Sequence, residues 1–113
     1  MADEVNQIEI YRDADGNAPF YEWHLSLKDR KAASIVLNRI DRLKIGNPGY
    51  CRDLADGVWE MKIDFGPGYR IYFARSGKTV YLLLAGGDKS TQKADIKEAK
   101  RRWQEYQKRT SVK

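Results

Sequence analysis

Apolar and polar residues alternate first over residues 5–12 (VNQIEIYR), where Ile8 and Ile10 share a side among β-formers, and this predicts a strand. Asp13-Ala14-Asp15-Gly16-Asn17 is turn-forming, and Pro19 then opens a short helix at a position where its missing N–H is not needed. Over residues 28–45, Ala33, Val36, Ile40 and Leu43 recur at three- and four-residue spacing, which predicts a second helix stopped by Gly46 and Pro48. Residues 58–65 (VWEMKIDF) alternate strictly, Gly66-Pro67-Gly68 turns, and residues 69–75 (YRIYFAR) return as a strand. A further turn at Ser76-Gly77-Lys78 leads into residues 79–85 (TVYLLLA), apolar enough to require a buried strand. After Gly86-Gly87, a last helix is expected from about Thr91, with Ile96, Ala99, Trp103 and Tyr106 along one face. The order β–α–α–β–β–β–α predicts one α+β domain over residues 1–113, an antiparallel sheet with its helices on one face.

Charge sharpens this picture. The chain carries a net +5, but residues 1–27 hold six acids against one Arg, so the positive charge lies elsewhere. Residues 28–45 hold six basic against two acidic side chains, and residues 93–113 eight against three, so both basic stretches fall on predicted helices. Such helices suit a polyanion, although solvated lysine-rich faces explain them as well. The single cysteine, Cys51, allows no internal disulfide and fits a reducing compartment. The acidic start and the absence of a long apolar run point to a cytoplasmic protein with no membrane partner.

Candidate chemistry follows from strand alternation. If Trp59, Met61, Ile63 and Phe65 face the core, Glu60, Lys62 and Asp64 face the other way; if Tyr69, Ile71 and Phe73 face the core, Arg70 and Tyr72 do not. Pairing across the Gly-Pro-Gly turn then gathers Glu60, Lys62, Arg70 and Tyr72 on one open patch. These groups suit cleavage of RNA by its own 2′-hydroxyl. A lysine or carboxylate takes the proton, an arginine holds the charged phosphorane, and a tyrosine stacks a base. An ordinary solvent face with cross-strand ion pairs is the alternative. On such an open face, Arg70→Ala is expected to leave the core undisturbed. His24 has no second histidine and Cys51 no second cysteine, so no cofactor or metal is expected. Gly86-Gly87 resembles a phosphate loop only weakly, and a tight entry to the last helix explains it at least as well. Trp103 and Tyr106 read as core or partner surface.

Three runs carry a resemblance: Asp56-Gly57-Val58-Trp59-Glu60-Met61-Lys62-Ile63, Gly68-Tyr69-Arg70-Ile71-Tyr72-Phe73, and residues 82–92 (LLLAGGDKSTQ). Together they resemble the HigB-like "addiction module killer" branch of the RelE/ParE toxin superfamily, over nearly the whole chain. The resemblance implies a RelE-like fold, ribosome-associated mRNA cleavage, and neutralisation by a small antitoxin, commonly a helix-turn-helix protein. It matches Arg70 to the superfamily's phosphate-binding arginine and Lys62 to the second of two active-site lysines. Glu60 stands where the first lysine would be, so Lys62 and Glu60 both remain candidate bases. Lys89 is the candidate proton donor, and Tyr72, Gln92, Arg75 and Lys44 are the candidate RNA contacts. The rivals are a ParE-like gyrase inhibitor on the same fold and a non-catalytic, antitoxin-binding co-repressor.

Overall fold

The computed structural model describes residues 6–111. Its elements are β1 (Gln7–Ile10), α1 (Pro19–Ser26), α2 (Arg30–Lys44), β2 (Cys51–Asp53), β3 (Trp59–Ile63), β4 (Tyr69–Ser76), β5 (Val80–Gly87), a 3-10 turn (Lys89–Thr91) and α3 (Gln92–Ser111). Val5, the expected start of the first strand, lies outside the described residues. Pro19 sits in the first turn of α1, and the Asp29 carboxylate caps α2 by accepting from the N–H groups of Lys31 and Ala32.

The α+β class agrees with the sequence, and so does the element order apart from the additional short strand β2, but the sheet is mixed rather than antiparallel. Its strand order is β1-β5-β4-β3-β2, and β1 runs parallel to β5. Alternation within a strand carries no information on its direction, and the whole intervening chain serves as the crossover. The added edge strand β2 pairs Arg52 with Glu60, and its three residues show no apolar alternation by which to find it.

The helices cover both faces, not one. Val36, Ile40 and Leu43 of α2 and Phe20 of α1 pack on Met61, Ile63, Ile71, Phe73 and Leu83. Ala99 and Trp103 of α3 pack on Tyr72, Ala74, Leu82 and Leu84 of the other face. The apolar runs of β4 and β5 need this double cover, because each inward residue buried is worth roughly 1.5–3 kcal/mol. Ala32, rather than Ala33, is the buried alanine of α2. Trp59, expected in the core, is 37% exposed at the start of β3. His24 is structural, its Nε2 lying 3.0 Å from the Ala33 carbonyl oxygen.

A bulge between Tyr72 and Phe73 shifts the β4–β5 register, leaving Leu84 the extra residue; its carbonyl accepts from Arg102 Nη1 of α3 at 3.0 Å. Gly86 and Gly87 are required by close approach. A Cβ at Gly86 would overlap the Trp23 indole of α1, and one at Gly87 would overlap the Asp95 carboxylate of α3. Gly86→Ala is therefore expected to destabilise the fold by about 1–3 kcal/mol in a denaturant titration, with an unchanged far-UV spectrum.

Candidate active site

The site is assembled at the end of the sheet where β3 turns into β4. Cross-strand register sets Glu60 opposite Tyr72 and Lys62 opposite Arg70, the grouping expected from alternation. Arg70 in turn lies opposite Gly87, so the chain that follows, with Lys89 and Gln92, begins at the rim of the same site. Gln92 belongs to the first turn of α3, and its Nε2 donates to Glu60 Oε2 at 2.9 Å. From the other side, Arg52 of β2 places Nη2 3.1 Å from Glu60 Oε1. Arg70 Nε stands 3.7 Å from Glu60 Oε2, while its Nη1 donates to the Gly68 carbonyl at 2.7 Å.

This patch is not open. Glu60 is 4% exposed, Arg70 6% and Tyr72 fully buried, because α3 lies over them. The buried Tyr72 ring cannot stack on a base in this conformation, and its hydroxyl makes no hydrogen bond. Burial first, and then the negative charges of Glu60 and Asp95, push its phenol far above the ordinary tyrosine range. Arg70→Ala likewise does not act on an exposed strand residue, but leaves a buried carboxylate short of a partner. Both oxygens of Glu60 are already engaged by donors, so the geometry favours Lys62 of the two candidate bases.

Lys62 is exposed, and with Arg39, Tyr50 and Asp64 it lines an open cleft of about 280 Å³ beyond the end of β2. The strand there is held firmly: Arg39 Nη1 donates to the Lys62 carbonyl at 3.1 Å, and the Lys62 N–H donates to the Tyr50 carbonyl at 3.3 Å. Lys89 is exposed on the 3-10 turn, whose start is fixed by the Asp88 carboxylate accepting from the Ser90 N–H. That carboxyl is held below the ordinary range, chiefly by the Ser90 hydroxyl.

Arg75 and Lys44 do not join this group. Arg75 is five residues along β4 from Arg70, roughly 16 Å at a strand's rise, and at the opposite end of the sheet. Its guanidinium lies 4.6 Å from the Tyr81 ring centre and donates to the Tyr81 hydroxyl and the Lys78 carbonyl. The Lys44 carbonyl accepts from Asn6, beside the start of β1, also at that far end. The two basic helices lie on opposite faces, so they form no single polyanion surface. Several α3 charges are paired as well: Arg101 and Arg102 with Glu98, Arg109 with Glu105, and Lys100 with Asp56.

Sequence reasoning missed Arg52, which had no predicted strand to place it, and Asp95. The latter was within reach: carrying the Ile96–Ala99–Trp103 stripe back one turn gives Asp95 and Gln92 on the sheet-facing side. Among the described residues, no three His, Cys, Asp or Glu side chains gather where a metal ion could be held. Nor is any helix long and apolar enough to cross a membrane.

Tyr72 has a counterpart nearer the tail of α3. Tyr11 donates to Glu105 Oε1 at 2.6 Å, and burial first, then that bond, push its phenol from 10.0 up to about 12. Both folded-state values are raised, so this stability is fully present below pH 10 and is lost as pH climbs through and beyond about 12. Thermal melting should fall steeply above pH 10, and Tyr11→Phe should flatten part of that decline while Tyr72 keeps the rest.

The mixed sheet between two helical layers, with a charged cluster at the β3–β4 turn, defines a RelE-like α+β protein. Residues 23–106 match the family described as "Phage derived protein Gp49-like (DUF891)", and the chain belongs to that family, a toxin–antitoxin-related group of RelE/HigB-like toxins. The chain is also 44% identical over 81 residues to a Haemophilus influenzae protein described as uncharacterized, covering 72% of this chain and 82% of that protein.

Proposed function

We propose that this protein is a metal-independent endoribonuclease toxin that cuts mRNA in association with the ribosome and is restrained by a small antitoxin. One observation carries the reading: Lys62 and Arg70 are cross-strand partners on one face, and Lys62 alone of the Glu60, Lys62, Arg70 and Tyr72 group reaches open solvent. In this reading Lys62 takes the proton from the substrate's 2′-hydroxyl, whose oxygen attacks the adjacent phosphorus. Arg70 stabilises the charged phosphorane, and Lys89 protonates the departing 5′-oxygen. The products carry 2′,3′-cyclic phosphate and 5′-hydroxyl ends.

Expression of the protein alone should arrest growth, with transcripts cut inside reading frames. Co-expression of an adjacent small antitoxin gene should restore growth and yield a complex on purification. Normal growth at high expression without an antitoxin contradicts the reading. Arg75→Ala should leave toxicity unchanged, since Arg75 is tied to Tyr81 and Lys78 at the far end of the sheet. A second reading has the near-closure of Arg70 in its favour: a toxin that inhibits gyrase by binding, without chemistry. Induced cells would then show DNA breaks first, with transcripts intact.

A further inference from the structure

We infer that Arg52, Arg70 and Gln92 form a phosphate site which the free protein fills with its own Glu60 carboxylate, and that a backbone phosphate of the RNA takes the site by displacing it. The inference deepens the nuclease reading and rests on it only for the nature of the molecule that carries the phosphate. Three donors from three different elements converge on Glu60: Arg52 Nη2 from β2, Gln92 Nε2 from α3 and Arg70 Nε from β4. A carboxylate buried mid-strand between two guanidinium groups and an amide has the surroundings of a bound oxyanion.

The fit to a carboxylate is incomplete. Its two oxygens satisfy Arg52 and Gln92, but Arg70 Nε, at 3.7 Å, is buried with no hydrogen-bond partner. An enclosed N–H left unsatisfied is costly, and a tetrahedral phosphate brings the further oxygen that would serve it. The other nearby acids have hydrogen-bond partners of their own, Asp88 accepting from Ser90 and Asp95 from Thr91. Access is from the edge of the sheet, where the Arg52 side chain is 52% exposed, with Arg70 at the rear. Glu60 is thus a built-in competitor that keeps Arg70 in place until a phosphate arrives, and not the base.

The test is thermal melting of Glu60→Ala in sodium chloride and in inorganic phosphate of equal ionic strength. Phosphate should raise its melting temperature by at least about 4 °C more than it raises that of the wild type. Adding Arg52→Ala should remove the gain. Should Glu60→Ala fold only in phosphate, the inference is supported directly. Should it fold in neither salt, the near-isosteric Glu60→Gln carries the same comparison. Equal phosphate shifts in the wild type and in the variant that folds overturn the inference. Binding of an uncleavable all-2′-deoxy oligonucleotide to Glu60→Gln should also gain about one ion in its salt dependence. Phosphate rescue without RNA cutting leaves the anion site standing and removes the nuclease reading. RNA cutting without phosphate rescue does the reverse.

Discussion

Arg70→Ala should cost the protein both stability and activity. The guanidinium is almost fully enclosed, 3.7 Å from a carboxylate that is itself buried, so its removal leaves Glu60 with Arg52 and Gln92 alone. Breaking a buried pair from one side costs roughly 3–5 kcal/mol, and the two remaining donors place this case at the low end. Loss of a transition-state phosphate contact should lower the cutting rate by about 10²-fold or more. A melt in denaturant and a single-turnover cleavage assay well below the melting temperature separate the two losses. Arg70→Lys should restore part of the stability but little of the rate, because an ammonium cannot hold two phosphate oxygens as a guanidinium does. Wild-type melting of Arg70→Ala would mean that the Glu60–Arg70 pair is not formed in solution.

Lys62→Ala should behave oppositely. Its side chain is exposed at the mouth of the cleft, while its backbone carbonyl and N–H hold Arg39 and Tyr50 whatever the side chain. Stability should move by no more than about 0.5 kcal/mol. Removal of a general base should slow cutting by about 10²–10⁴-fold, with RNA affinity little changed because one phosphate contact among several is lost. Melting and binding close to wild type, with cutting nearly gone, is the expected combination. Full cutting by Lys62→Ala would remove it from the mechanism.

The sequence made the two faces of the β3–β4 hairpin legible, because alternation on both sides of Gly66-Pro67-Gly68 separates the side chains into two sets, with Trp59 the exception in burial. It therefore grouped Glu60, Lys62, Arg70 and Tyr72, without the register that pairs Glu60 with Tyr72 and Lys62 with Arg70. It did not show that this face is covered. Alternation separates two faces but does not name the solvent-exposed one, and the unbroken apolar run of β5 was the sign that both are buried. The parallel docking of β1 depends on long-range pairing that alternation within the strand does not reveal, and the edge strand with Arg52, paired locally with β3, is too short at three residues to show a periodicity. Arg75 and Lys44 carry no sequence signal beyond their charge, and charge says nothing about which end of the sheet a residue occupies. The family resemblance agrees with the Gp49-like match over residues 23–106 at the level of a RelE/HigB-like toxin group, but Glu60 at a lysine position acquires a physical meaning only from its three neighbours.

Purified protein should be incubated with mRNA, with and without ribosomes, and the new ends mapped, alongside a transcript carrying a single 2′-deoxy substitution at the main cut site. The predicted result is 5′-hydroxyl and 2′,3′-cyclic phosphate ends, cutting by the ribosome-free reaction undiminished in excess EDTA wherever it occurs, and no cut at the substituted position. Ends bearing 5′-phosphate, cutting at the 2′-deoxy position, or no cutting under either condition would contradict it.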